Sequence, residues 1–320
     1  LKDHEGAITD LDKAIELDSK YALAYYNRGV SKDSIEDYKG AIKDFTKAIE
    51  LDPEYVNAYY NRAIIKNTLK DYFGAIKDNT KAIELNPNYA DAYYNRAISK
   101  NTLEDYKGAI EDNTKVIELD PNYAEAYYNR GLARDNLKDY KDAIKDYTKA
   151  IELDPEYVNA YFNRAIIKND LKDYFGSIED YTKAIELDPN DYEAYFNRAI
   201  LKDTLEDYKG AIEDNTRAIE LDPNNAKAFY NRGLARSNLK NYKDAIKDYT
   251  KAIELDPEYA NAYFNRGISK NKWEEHKGAI KDFTKAIELD PNDYEAYYNR
   301  AISKDSLEDY KALLKTYKSN

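Results

Sequence analysis

The sequence predicts an all-α fold, an α-α superhelix: a solenoid of stacked antiparallel helix hairpins. Three observations carry this. Eight prolines, Pro53, Pro87, Pro121, Pro155, Pro189, Pro223, Pro257 and Pro291, lie 34 residues apart without an insertion or deletion. The dipeptide Asn-Arg recurs nine times in one phase, from Asn27-Arg28 to Asn299-Arg300. Between prolines, the apolar residues follow helical spacing in each half of the repeat. A fixed period of this length marks units that bury their apolar faces against one another.

Residues 124–157, AEAYYNRGLARDNLKDYKDAIKDYTKAIELDPEY, show how one unit is built. Tyr127, Gly131 and Leu132 give the first half its helical spacing. In the second half, Tyr140, Ala143, Ile144, Tyr147, Ala150 and Ile151 follow the i, i+3, i+4, i+7 pattern of a buried helix face. Between the halves, Asp139 is expected to accept a hydrogen bond from the free amides that open the second helix. Pro155 ends that helix, because proline disfavours the helical conformation in the residue before it. Lysines and acids fill the outer faces. Residues 1–320 read as a single array: a half repeat at 1–21, eight full repeats over 22–293, and a terminal partial repeat at 294–320 that closes the stack.

Composition narrows the function classes. The chain has 320 residues with no cysteine and no methionine, which excludes disulfides, thiolate metal sites and cysteine nucleophiles. The missing methionine leads us to expect that Leu1 is not a translation start and that the sequence is a fragment. Acidic residues number 61 against 49 basic ones, a formal charge of -12. Nucleic acid is not expected as a partner, because phosphate recognition needs a basic footprint. Apolar runs are short, so no membrane insertion is expected.

The repeat resembles the tetratricopeptide repeat family. That family's pattern of an opening aromatic, a small residue, then alanine, aromatic, alanine and proline falls on Tyr127, Gly131, Ala143, Tyr147, Ala150 and Pro155. The small site is filled along the chain by Gly29, Ala63, Ala97, Gly131, Ala165, Ala199, Gly233, Gly267 and Ala301, which lets the two helices of a hairpin approach closely. There are departures. Arginine stands where the family has a large aliphatic, and Lys66 or Arg134 where it often has tyrosine. Asn79, Asn113 and Asn215 replace the second-helix aromatic, and Val116, Ser177 and Leu313 fill small sites. A longer period overlies the first: units 56–89 and 158–191 share NRAIIKN and LKDYFG, and units 124–157 and 226–259 share NRGLAR, each pair 102 residues apart.

The resemblance implies that the first helix of each hairpin lines a concave peptide-binding groove. Its candidate residues are the asparagines Asn27, Asn61, Asn95, Asn129, Asn163, Asn197, Asn231 and Asn265. The aromatics before them join the set: Tyr60, Tyr94, Tyr128, Phe162, Phe196, Tyr230 and Phe264. Asparagine carries both a donor and an acceptor, so it can grip a peptide backbone whatever the side chains; long superhelical members of the family use a similar asparagine ladder. The alternative is that each asparagine satisfies a neighbour within the stack and each aromatic packs between successive first helices. Three residues beyond each asparagine lies an aliphatic, such as Ile64 or Leu132, with polar groups such as Asn67, Asn101 and Asp135 farther on. The lysine clamp that chaperone-type members use for a terminal carboxylate is not matched.

The arginine column is expected to be structural. Sixteen residues after each of the first eight arginines lies an aspartate, as in Asp44 after Arg28 and Asp146 after Arg130. An antiparallel hairpin brings the two to one level, for a forked ion pair inside each unit or with the preceding unit; the alternative is that the arginines bind an anion. Catalysis finds no footing: His4 and His276 occupy tyrosine positions, and no phosphate loop, nucleophile elbow or metal-ligand cluster appears, so neither cofactor nor metal is expected. Trp273 stands where other units have leucine and is expected to fill the core. The functional expectation is a non-enzymatic scaffold that binds a partner protein or extended peptide. The alternatives are a regulatory or substrate-recruiting arm of a larger enzyme, and a structural or self-assembling solenoid.

Overall fold

The computed structural model describes the backbone of residues 3–318 and the side chains of residues 3–308. These residues form eighteen α-helices and no strand. The chain divides into two compact units, residues 1–167 and 168–320, with the division inside α10. The first unit holds α1 (His4–Leu17), α2 (Ala22–Ser34), α3 (Tyr38–Leu51), α4 (Val56–Thr68), α5 (Tyr72–Leu85), α6 (Ala90–Thr102), α7 (Tyr106–Leu119), α8 (Ala124–Asn136), α9 (Tyr140–Leu153) and most of α10 (Val158–Asp170). The second holds α11 (Tyr174–Leu187), α12 (Tyr192–Thr204), α13 (Tyr208–Leu221), α14 (Ala226–Asn238), α15 (Tyr242–Leu255), α16 (Ala260–Lys272), α17 (His276–Leu289) and α18 (Tyr294–Lys318). Where the other repeats turn, α18 continues as one helix of 25 residues. The departure at Leu313 lies outside the described side chains.

Within each unit the even-numbered helix of a hairpin packs on the following odd-numbered one, which packs on the next hairpin. Successive even-numbered helices also touch: α2, α4, α6 and α8 in the first unit, and α12, α14, α16 and α18 in the second. Within each of these two runs the first helices thus form a continuous layer.

The turn inside each hairpin rests on one residue in the left-handed region. Glu36, Lys70, Glu104, Lys138, Lys172, Glu206, Lys240 and Glu274 have φ of 61–64°. The geometry ends the first helix as a left-handed cap does: Lys70 N donates to Asn67 O (2.9 Å) and Asp71 N to Lys66 O (2.8 Å). None of these residues is glycine, so each carries about 1 kcal/mol of steric cost.

The second helix is capped as expected in most repeats, but not at Asp139. Asp37, Asp71, Asp105, Asp173 and Asp207 each accept from the amide three residues on, which belongs to Gly40, Gly74, Gly108, Gly176 and Gly210. A Cβ at Gly40 would lie 2.0 Å from the Asp37 carboxylate. In the fourth hairpin that residue is Asp142, whose like charge opposes the approach, and Asp139 makes no side-chain cap bond, whereas the neutral Asn241 still accepts from Asp244 N (3.4 Å). Asp142 instead pairs with Lys145 (2.7 Å).

Small residues set the helix separation. A Cβ on Gly29, Gly131, Gly233 or Gly267 would stand 2.8–2.9 Å from the ring of Phe45, Tyr147, Tyr249 or Phe283. Where the second-helix residue is Asn79, Asn113 or Asn215, the first helix carries Ala63, Ala97 or Ala199, all fully buried. The shorter partner leaves room for the methyl group. Trp273 does not fill the core. It forms the C-cap of α16 and is 49% exposed, as the leucines at its register are (Leu69 47%, Leu137 44%), because the end of a first helix projects past the hairpin contact.

Candidate binding face on the first helices

The arginine column holds the stack together. Arg130 directs Nε and Nη2 at Asp146 (3.0 and 2.8 Å), a two-pronged pair across α8 and α9. Its Nη1 donates to Thr114 of the preceding hairpin (3.2 Å). The same three bonds recur at Arg62, Arg96, Arg198, Arg232 and Arg266. The threonine is pre-oriented: Thr46 donates its hydroxyl to Ile42 O (2.7 Å), leaving the oxygen to accept from Arg62 (2.9 Å). The buried aspartate takes a second cation, Lys66 on Asp78 (2.7 Å) or Arg134 on Asp146 (2.6 Å). Each guanidinium also sits over an aromatic ring three residues earlier, 5.5 Å from the Tyr127 centroid for Arg130. The fork's donors are spent inside the stack, which favours the structural role over anion binding.

The asparagines lie on the first helices of the hairpins. Asn27 is exposed; Asn61, Asn95, Asn129, Asn163, Asn197, Asn231 and Asn265 are half-buried. Asn61, Asn129, Asn163 and Asn265 donate their amide to the hydroxyl of Tyr26, Tyr94, Tyr128 and Tyr230 on the preceding first helix, at 2.9–3.0 Å. Burial raises the phenols of Tyr94, Tyr128 and Tyr230 above their usual range, and the asparagine bond partly offsets it. The side-chain oxygens of these four asparagines accept nothing from the described residues and are not buried. The amide is thereby anchored on its donor side, and its acceptor is left to solvent.

The aromatics before the asparagines are all half-buried, and they form two kinds of junction. Tyr26, Tyr60, Tyr94, Tyr128 and Tyr230 lie 4.8–5.1 Å, ring to ring, from Tyr55, Tyr89, Tyr123, Tyr157 and Tyr259, which precede the next first helix. Phe196 and Phe264 lack the hydroxyl, and the residues at the tyrosine register after them are Asn225 and Asp293, which cap α14 and α18 through their own side chains. Phe162, with Asp191 at that register, has the same sequence pattern. This pairing across 29 residues was visible in the sequence.

Farther along the face, Val30, Ile64, Ile98, Ile166 and Ile200 are each about a third exposed, between 36% and 40%. Beyond them runs the polar column that includes Asn67, Asn101, Asp203 and Asn271. Ser99 Oγ donates to Asn67 Oδ1 (2.7 Å), and Asn271 Nδ2 donates to Ser303 Oγ (2.6 Å). Among the described residues no cluster of three or more His, Asp or Glu is placed to hold a metal, and no helix is long and apolar enough to cross a membrane.

Tetratricopeptide repeat models match residues 22–55, 90–123, 124–157, 226–259 and 260–293, and a second such model matches 45–77, 146–179, 180–213 and 283–312. A TPR repeat model matches 1–32 and 205–240. No curated protein matches the chain. Among solved structures, YrrB, described as a TPR protein with an unusual peptide-binding site, is 24% identical with a TM-score of 0.56 over 60% of this chain and 99% of its own. MamA is 26% identical with a TM-score of 0.51 over 54% of this chain and 94% of its own. The C-terminal part of a TPR repeat-containing protein from Cytophaga hutchinsonii is 17% identical with a TM-score of 0.65 over 75% of this chain and 98% of its own. Repeat models along the chain, helix hairpins recurring every 34 residues, and solved relatives of the same architecture agree: the chain belongs to the tetratricopeptide repeat family.

Proposed function

We propose that this protein is a non-catalytic scaffold that binds an extended peptide, or an extended segment of a partner protein, along the face of its first helices. The observation that carries the reading is in the asparagine column, where Asn61, Asn129, Asn163 and Asn265 have the amide nitrogen held by a tyrosine hydroxyl and the carbonyl oxygen left open. Fixed acceptors recurring along the first helices, at these four asparagines, suit the backbone N–H groups of an extended chain, and the aliphatics beside them offer apolar contact for its side chains. YrrB, whose description includes a peptide-binding site, supports the same use of the fold. The charge of -12 argues against nucleic acid and for a neutral or basic segment.

The test separates a gripping asparagine from one that only ties repeats together. Asn129→Ala with Asn163→Ala removes the open acceptors. Tyr94→Phe with Tyr128→Phe breaks the same inter-repeat bonds but keeps the acceptors. Binding of fluorescent extended peptides from a random library, read by anisotropy, should fall about tenfold in the asparagine pair. Little change is expected in the tyrosine pair, with helical content retained in both. Equal binding by all three proteins would refute the reading.

A further inference from the structure

We propose that the junction between α12 and α14 is a specificity point for a basic residue, with Asp203 receiving a lysine or arginine side chain of the bound segment while Asn231 holds that residue's backbone. The inference rests on the peptide-binding reading above and adds where, and for what chemistry, the second unit is selective.

Two polar side chains without partners coincide there, beside a position that lacks the usual tyrosine. Asn231 makes no side-chain hydrogen bond among the described residues, because the residue at the tyrosine register on α12 is Phe196. The tyrosine that stacks on this column elsewhere is replaced by Asn225, whose side chain turns to cap α14 (3.1 Å to Ala228 N). The face is therefore more open here than beside Tyr128 or Tyr230. Asp203 has no ion pair or side-chain hydrogen bond among the described residues, and its Oδ1 is buried. At Asn67 the side-chain oxygen receives the hydroxyl of Ser99 on the next first helix; after Asp203 that position is Ala235, which has no donor to offer.

The surroundings leave the carboxylate unneutralised. Lys202, adjacent in sequence, is held by Asp214 (2.8 Å), and Arg236 by Asp248 (2.6 Å). The phenols of Tyr208, Tyr230 and Tyr249, on α13, α14 and α15, lie close enough to feel its charge. Tyr249 is fully buried and its hydroxyl also lacks a partner. Desolvation raises the Asp203 carboxyl above its usual range, and no compensating cation opposes it. A buried polar group left in this state costs free energy that a ligand donor recovers.

The spacing fits one side chain. Phe196, Ile200 and Asp203 fall on one face of α12 at i, i+4 and i+7, a rise of about 10 Å. An extended lysine covers about 6 Å from Cα to the ammonium, and a hydrogen bond of about 3 Å completes the reach. Its methylene stem would run along Ile200, which is 40% exposed. The comparable recess at α16 and α18, which includes Ile268, Asn271, Lys272 and Asn299, lacks this preference: Asn271 is already bonded to Ser303, and Lys272 repels a cation.

The experiment uses the 320-residue chain and a positional-scanning library of fluorescent extended peptides, with one position fixed as Lys, Arg, Val or Glu and the others random. Pools fixed as Lys or Arg should bind about tenfold tighter than pools fixed as Glu, the change expected of one charge-assisted contact. Asp203→Asn should remove that preference while the Val pools keep their affinity; asparagine stands natively at this register in Asn67, Asn101 and Asn271, so the variant has a precedent for folding. Ala235→Ser, which supplies the missing donor, should weaken the preference in part. A preference unchanged in Asp203→Asn, or absent from the unaltered chain, overturns the proposal. Loss of all peptide binding in the unaltered chain would instead overturn the groove reading, and this proposal with it.

Discussion

Asp146→Asn is the most incisive probe of the ion fork. The substitution keeps the shape of the side chain and removes its charge from a buried site that receives three N–H groups, Arg130 Nε at 3.0 Å, Arg130 Nη2 at 2.8 Å and Arg134 Nη1 at 2.6 Å. Two guanidinium groups, 13% and 21% exposed, then lose their counterion together. Breaking a buried pair from one side costs about 3–5 kcal/mol. Both cations still reach water at their edges, which places the expected loss near the lower end, about 3 kcal/mol. Repeat arrays lose stability locally, so a single denaturation midpoint understates the effect. The informative assay is amide hydrogen exchange, in which α8 and α9 should exchange about a hundredfold faster while α4 and α5 change little. Replacing all three members with apolar residues of similar size should cost less than the single change. If Asp146→Asn costs under about 1 kcal/mol and exchange in α8 and α9 is unaltered, the fork does not hold the hairpin and the argument fails.

Two further outcomes follow from local chemistry. Lys138, at φ 62°, bears the strain of a left-handed residue with a Cβ, so Lys138→Gly should stabilise the fourth hairpin by about 0.5–1 kcal/mol, measured by urea unfolding; a loss of stability would show that its side chain, not its backbone, matters there. At high pH the stack should come apart through its tyrosines. Burial pushes the phenols of Tyr55 and Tyr259 up to about 12, from an ordinary 10.0, and those of Tyr89, Tyr123 and Tyr157 higher still. The unfolded chain releases these protons first, so this contribution is whole below about pH 10 and is lost as pH rises through 12. Circular dichroism against pH should show helix loss in that window, together with tyrosinate absorbance, and replacing Tyr55 and Tyr259 by Phe should move the loss upward.

The helix boundaries were legible because one period runs through the chain, so each proline and each Asn-Arg pair marks the same point in every hairpin. The Arg–Asp pairing was legible too, since a sixteen-residue separation in an antiparallel hairpin brings the two side chains to one level. The threonine that completes each fork after that of Arg28 lies sixteen residues before its arginine, an equally regular signal, but its partner belongs to the neighbouring repeat and one unit viewed alone conceals it. Asp139 misled because a cap depends on the residue three positions on, where Asp142 replaces the usual glycine. Trp273 misled because the leucines at its register suggested the core, whereas that register lies at a helix end. The contrast between Asp203 and Asn67 could not be read from either residue. It depends on whether alanine or serine stands on the next first helix, and so on how successive hairpins are placed.

The third bond of each arginine changes how these stacks open. Because Arg62 leans on Thr46 and Arg96 on Thr80, a hairpin that melts takes away an acceptor from the one that follows it. A break between ordered and disordered repeats is thus penalised on top of the exposed apolar surface. One interruption inside a stack creates two such breaks, while fraying from a free edge creates one. Thermal openings should accordingly begin at the margins of a stack and travel inward hairpin by hairpin, and a bubble in the interior should be rare and short-lived.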